Sequence, residues 1–566
     1  MSVIDWGVLI LSLVFIVVYG VWKGRGSRNI DSYLMADRGI KWPVVMLSVM
    51  ATQASAITFL STPGQAYSDG MRFVQFYFGL PLAMIVLCVT AIPIFHRLNV
   101  YTAYEYLEKR FDLKTRAFAA ILFMIQRGFA AGLTIYAPAI ILSTVLGLNL
   151  YITNLVIGGV VIIYTASGGS KAVSYTQTQQ MVIIFVGITI AFFLTISFLP
   201  KGVTFTDAMF VAGKMGKLNT VDFSFDLKNR YNIWSGLIGG FFLALSYFGT
   251  DQSQVQRYLT GKSVTHSRLG LLANGMVKVP MQFLILLLGV MVFVFYQFTP
   301  PPLFFNTVES KGVRDGHYGV QYRMVEQQYQ NVSSEKAELV KKMVDARHSG
   351  DASAVSEVES RLNEKEKEVK AVRAKGVDII KKHSLNDEVT DTNYIFLGFV
   401  LKYIPVGILG LVIAAIVAAS MSSTSSEINS LASTLLIDIY RRMIKPVATD
   451  QHYLRISKLM TVGWGIFAII FAQFANRLGT LVEAVNILGS LFYGTILGIF
   501  MVAFFLKFVK GAAAFYAGLM AEVVVILCFI YTDISFLWYN VVGCVLVIVF
   551  SIPIHFLLLK PKRVIS

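Results

Sequence analysis

Residues 410–442 read GLVIAAIVAASMSSTSSEINSLASTLLIDIYRR, an apolar stretch interrupted by five consecutive hydroxyls, Ser422, Ser423, Thr424, Ser425 and Ser426. The run lies about equally far from Pro405 and from Arg441, so at about 1.5 Å per helical residue it sits near the middle of a membrane this segment crosses. On a helix Ser422, Ser425 and Ser426 share one face, and Ala419 and Ser423 stand one turn apart. Back-bonding to i−4 carbonyls or helix packing accounts for one or two such serines. Five in a row point further, to hard, neutral oxygens gathered for a hard cation such as Na⁺.

Outward from that stretch the chain is of one kind. Of its 566 residues 55% are apolar and 14% charged, with mean hydropathy +0.64, where a soluble globular chain carries about a quarter charged residues. About thirteen apolar segments are long enough to span: 4–23, 39–62, 70–96, 116–147, 151–166, 178–199, 231–250, 269–297, 404–440, 456–474, 480–506, 511–532 and 536–558. The expected fold is an all-α polytopic membrane protein whose first segment, lacking a cleavage site, is a retained anchor. Cys88, Cys528 and Cys544 lie in apolar stretches without metal-type spacing, which argues against a disulfide framework or zinc site.

The net charge of +16 does not signal nucleic acid, because it gathers in short loops. Lys23, Arg25 and Arg28 follow the first segment, and Arg97, Lys109, Arg110, Lys114 and Arg116 follow the third. Arg441, Arg442 and Lys445 follow the ninth, and Lys560, Lys562 and Arg563 end the chain. With an odd number of spans all fall on one side, which puts the N-terminus outside and the C-terminus in the cytoplasm of a cell (inner) membrane protein. Residues 299–393, with 15 basic and 16 acidic side chains, form the one hydrophilic insertion. It opens on Pro300-Pro301-Pro302, turns near His348-Ser349-Gly350-Asp351 and reads as an external charged helical hairpin: a solvated spacer, or a surface for a partner protein. Asn331-Val332-Ser333 matches a glycosylation sequon.

Two further intramembrane clusters require explanation. In MATQASAITFLSTPG, residues 50–64, Thr52, Gln53, Ser55 and Thr58 interrupt an apolar helix, and Ser55 lies about 20 Å along it from Lys41. Small Ala51, Ala54 and Ala56 permit either an unwound, ion-coordinating midpoint or close helix packing. Arg127 stands about 16 Å inside the fourth segment. A guanidinium there needs a protein carboxylate, with Glu427 and Glu483 as candidates, or the carboxylate of an anionic substrate. Gln126 and Gln75 are amide candidates beside it. The other intramembrane carboxylates look isolated, and no nucleotide-binding, nucleophile-elbow or HExxH pattern occurs, so an enzyme is not expected.

These residues resemble the sodium:solute symporter family over roughly 4–506, outside the insertion. The resemblance rests on SAITFLSTPGQAY, on YAPAIIL after Arg127, on SGGSKAVSYTQTQQ, on YFGTDQSQVQRYLTGKS and on the serine-rich stretch quoted first. It implies a leucine-transporter-type fold of two inverted five-helix repeats, segments two to six and seven to eleven, working by alternating access. The implied division is 1–298 (anchor, first repeat at about 39–199, start of the second), 299–393 (insertion), 394–506 (remainder of the second repeat) and 507–566 (two added helices and a short tail). It also implies a Na⁺ site from the carbonyls of Ala51, Ala54 and Ala419 and the hydroxyls of Ser422 and Ser423. A second Na⁺ site would use Ser422, Ser425 and Ser426, but Gln177 replaces the usual Asp, which favours one coupled ion. The similarity is greatest to the sialic-acid branch, implying Ser55, Thr58, Gln75 and Arg127 as the substrate set and Tyr247 as a gate. The function so implied is Na⁺-coupled import of a small organic anion, sialic acid or another sugar acid. A monocarboxylate, a neutral solute, or a sensor that binds without transporting are the alternatives.

Overall fold

The computed structural model describes residues 1–24, 29–146, 149–384, 389–475 and 480–558. Arg25, Arg28, Lys560, Lys562 and Arg563, used above for orientation, lie outside them. The described chain is helical. Ten helices are long and apolar enough to cross a membrane, and three shorter apolar ones, Trp42–Gln53, Leu150–Ile163 and Ser235–Gly249, lie among them. Large apolar side chains point outward along these helices, including Leu11, Ile163, Leu459 and Leu557, a surface that suits lipid.

The thirteen expected segments do not appear as thirteen separate helices among the described residues. After α1 (Val3–Gly24), the second segment is two helices, α2 (Trp42–Gln53) and α3 (Ala56–Asp69). The third starts with a tight 3₁₀ stretch, Gly70–Tyr77, before α4 (Leu80–Val89) and α5 (Ala91–Leu98). The fourth is α6 (Leu113–Leu146), and the fifth and sixth join as α7 (Leu150–Ser197), kinked at Gly169. That kink needs glycine: φ is +59°, and a Cβ would lie 2.6 Å from the Tyr33 carbonyl oxygen. The seventh is a π-helical turn, Ser235–Gly239, leading into α8 (Gly240–Gly249); past its end, across a break at 250–251, come the short α9 (Gln252–Leu259) and then α10 (Val264–Phe298).

The insertion forms the expected hairpin, α11 (Gly319–His348) against α12 (Ala352–Ser384), reversed at Gly350 with φ +73°. Tyr329 and Val332 of α11 and Val369 and Val372 of α12 share an apolar core of their own. Its tip docks on the short helix Phe205–Lys214, where Arg347 and His348 reach Asp207 at 2.9 and 3.0 Å and Lys214 meets Glu359 at 2.7 Å. Asn331 of the sequon is exposed and Ser333 is buried.

The helix between the insertion and the ninth segment has no counterpart among the expected segments. Thr392–Tyr403 lies across α3, so closely that a Cβ on Gly64 would come 2.0 Å from the Thr392 carbonyl oxygen. Its twelve residues are too few to span, which is why a hydropathy window passes over it. Then come α13 (Ile408–Thr434), which continues through a π-helical stretch to Ile444, α14 (Asp450–Ala472), α15 (Leu481–Phe505), α16 (Gly511–Tyr531) and α17 (Phe536–Leu558). The serine-rich α13 is the most enclosed, packed by α1, α6, α7 and α14.

Candidate functional site

Two interrupted helices meet α13 at mid-depth. Between α2 and α3, Ala54 and Ser55 leave helical geometry, with ψ of 73° and 173°. The break is held by the Ala54 amide on the Met50 carbonyl at 2.7 Å and the Ser55 amide on that of Gln53 at 3.1 Å. Between α8 and α9, Thr250 and Asp251 do the same, and Asp251 restarts the helix by accepting from the Ser253 amide at 2.8 Å, a carboxylate N-cap. The two divided helices are tied at one end, where Ile40 accepts from the Lys262 amide at 2.9 Å and donates to Thr260 at 3.1 Å.

At the first break the serine run faces the exposed carbonyls. Ser422 and Ser423 donate to the Ala51 carbonyl oxygen at 3.3 and 3.1 Å, and Ser423 also reaches that of Ala419 at 3.3 Å. All five hydroxyl residues and Ala51, Ala54 and Ala419 are fully buried. Oxygens so close, without a formal charge, are a donor set that a small monovalent cation satisfies by replacing the hydroxyl protons as their shared partner.

One turn away the pattern changes. Gln177 of α7 points its amide nitrogen at the hydroxyls of Ser426 (2.7 Å) and Thr52 (3.0 Å) and the Ser422 carbonyl (3.3 Å), while its oxygen accepts from Ser48. Ser425 turns back on the Ser422 carbonyl at 3.0 Å. The amide N–H groups stand among the oxygens that a second cation would need.

A cavity with about 670 Å³ of atom-free space opens beside the first break. Of the five expected substrate residues, Ser55, Thr58, Arg127 and Tyr247 line it together. Gln75 does not. Its amide donates to the Tyr231 carbonyl at 2.8 Å and accepts from the Asp222 amide at 3.0 Å, so it pins the 215–231 loop, while the neighbouring Phe76 and Tyr77 line the cavity instead. Tyr247 covers Arg127, its ring centroid 5.3 Å from the guanidinium carbon.

Arg127 is paired within the protein. Nη1 donates to Glu427 Oε1 at 3.0 Å, and Nη2 meets Asp251 and the Tyr493 hydroxyl. Glu427 is one of the two partners expected. Glu483 is not, since it pairs with Arg230 at 2.6 Å in the first turn of α15. Two of the intramembrane carboxylates are therefore not isolated: Asp251 and Glu427 converge on one guanidinium, from positions 124 and 300 residues away. Thr134, Asn486 and Tyr493, also at the cavity, escaped the sequence reading, whereas the Asp in YFGTDQSQVQRYL was a signal available there.

The family model described as Sodium:solute symporter family matches residues 33–306 and 372–521. The chain belongs to the sodium:solute symporter family. It is a multi-pass membrane protein, and sodium is the ion in the family's name. The human sodium/iodide cotransporter is 31% identical over 53% of this chain and 46% of its own length, so the chain spans about half of that relative. The rabbit sodium-dependent multivitamin transporter is 26% identical over 92% of this chain and 69% of its own. The sodium/sialic acid symporter NanT of Aliivibrio fischeri is 25% identical over 94% and 89%. A solved structure described as the substrate-bound outward-open state of a Na⁺-coupled sialic acid symporter shares the fold, with TM-score 0.75, 22% identity and 99% of both chains covered.

Proposed function

We propose that this chain is a Na⁺-coupled symporter that imports a small organic anion, with sialic acid or another sugar acid as the favoured substrate. The observation that carries the reading is the convergence of Ser422 and Ser423 on the Ala51 carbonyl at a broken helix that also borders the cavity. Na⁺ in that cage, with Ala54 and Ala419 as further carbonyl ligands, ties α2, which begins the first repeat, to α13 in the second. The ion thereby favours the arrangement in which the cavity can fill. One Na⁺ moving through 100 mV gains about 2.3 kcal/mol for uphill import. Gln177 occupies the second position as an amide, which supports one coupled ion per cycle. Ser55, Thr58, Arg127 and Tyr247 form the substrate set, with Tyr247 as a cover, and Gln75 acts outside it. The N-terminus and the hairpin face outward in this reading, and the hairpin is a docked external cap.

The relative named for sialic acid, NanT, matches most of the chain and favours a sugar acid. The internal pairing of Arg127 favours a second reading, a neutral solute held by the polar lining alone. Uptake into proteoliposomes of N-acetylneuraminate, glucuronate, lactate and glucose, each with inward Na⁺ and then inward K⁺, tests both. Na⁺-dependent accumulation of an acid is expected; accumulation of glucose alone selects the neutral solute, and equal uptake in K⁺ removes the symporter.

A further inference from the structure

The excess of acid around Arg127 has its own meaning. A guanidinium carries five N–H donors. Here one serves Glu427, two serve Asp251 and Tyr493, and Nε, fully enclosed, has no partner. With both carboxylates ionised against one cation, the cluster carries one negative charge in excess before any substrate arrives. A third carboxylate beside the same guanidinium would meet like charge in a medium of low dielectric, so it must replace one of the two already there.

The two are not equivalent. Glu427 lies on the unbroken α13, and its second oxygen accepts from Thr134 of α6 at 2.8 Å, the helix that also carries Arg127. Released from Arg127, Glu427 would keep a single donor. Asp251 lies at the break between α8 and α9. Its Oδ1 accepts from the amide and hydroxyl of Ser253 at 2.8 and 2.6 Å, and its Oδ2 accepts from the Tyr493 hydroxyl at 2.8 Å. Released from Arg127, it would keep three donors. It also links the guanidinium to the break between two short helices, the first of which carries Tyr247 over the cavity in its last turn.

We propose that Asp251 is a built-in stand-in for the substrate carboxylate: Arg127 exchanges Asp251 for the incoming acid, and the exchange unfastens the α8–α9 break and the Tyr247 cover from α6. This rests on the organic-anion reading above and makes Asp251 a specificity-determining residue, because a solute without a carboxylate has nothing to exchange for it. No proton transfer or covalent step is involved.

The test uses the full chain in saturating Na⁺. Binding of N-acetylneuraminate and of its uncharged methyl ester is measured by calorimetry for the wild type, Asp251→Asn and Asp251→Ser. Both substitutions keep a capping oxygen for Ser253 and remove the competing charge. The acid is expected to bind at least ~10-fold more tightly to both variants and the ester to change less than about two-fold; unchanged or weaker binding of the acid overturns the proposal. Hydrogen exchange of amides 249–254 without solute is the second readout. Faster exchange in both variants supports the fastening, and exchange equal to the wild type overturns it. A wild type that binds neither compound defeats the sugar-acid reading instead, and the exchange result then decides the fastening by itself.

Discussion

The two interrupted helices solve one physical problem in opposite ways. Each exposes backbone groups at mid-membrane depth, where an unsatisfied polar group costs several kcal/mol. At 54–55 the chain surrounds the break with neutral oxygens, those of Ala51, Ser422 and Ser423, a set that a monovalent ion completes. At 250–251 it places a carboxylate and pairs it with a buried guanidinium and a phenol. In the proposed reading a visiting ion replaces the hydroxyl hydrogen bonds at the first break, whereas the second carries its own counter-ion. That reading makes one an ion-binding break and the other a latching one, and each can be attacked alone.

The largest effect is expected at the charged break. Arg127→Ala leaves Asp251 and Glu427 without their cation, which should cost about 3–5 kcal/mol of stability and lower the unfolding temperature sharply in detergent. Arg127→Lys keeps the charge but loses the planar fork, and uptake of an acid should fall by about 100-fold, close to 2.7 kcal/mol. Retained uptake there would favour the neutral solute.

At the neutral break the effect is one of count. Gln177→Asp replaces amide N–H groups with carboxylate oxygens among Thr52, Ser422 and Ser426. The Hill coefficient for Na⁺ should rise from about one toward two; a coefficient that stays at one would separate the amide from stoichiometry. Gln75→Ala is a control away from both breaks. Losing two buried hydrogen bonds should cost about 1–3 kcal/mol in unfolding experiments, with KM changed less than about two-fold.

The smallest effect lies outside the membrane, at Asp207. Burial raises its pKa, but hydrogen bonds from Thr204 and from His348 outweigh that and hold the carboxyl below its ordinary value. A carboxyl depressed in the folded state stabilises above the unfolded value of about 3.9 and loses that contribution as pH falls through its folded value. The hairpin tip should therefore loosen in acid. Asp207→Asn should reproduce the loosening at neutral pH, seen as faster hydrogen exchange in 205–214 and 340–351 by less than about ten-fold.

What could be read from the sequence was what stands out against apolar surroundings. The serine run, the polar interruption around Ser55 and the lone Arg127 each break a long hydrophobic pattern, and depth along a helix places them at one level. The hairpin was legible from its charge and its turn. The pairing of Arg127 with Asp251 was not, because residues 124 positions apart are joined by tertiary packing that periodicity does not encode. Gln75 illustrates the converse: beside two cavity-lining aromatics, its amide is turned to the backbone of a loop far along the chain. The joining of two segments in α7 and the short helix Thr392–Tyr403 escaped because hydropathy windows register length and apolarity, not direction.

Equilibrium binding of radioactive sodium to the purified chain, wild type against Ser423→Ala, bears most directly on the oxygen cage. Saturable binding of one ion per chain is expected in the wild type and its loss in the variant, with the unfolding temperature without sodium nearly unchanged. Undiminished sodium binding by Ser423→Ala would contradict the assignment of the ion to Ala51, Ser422 and Ser423.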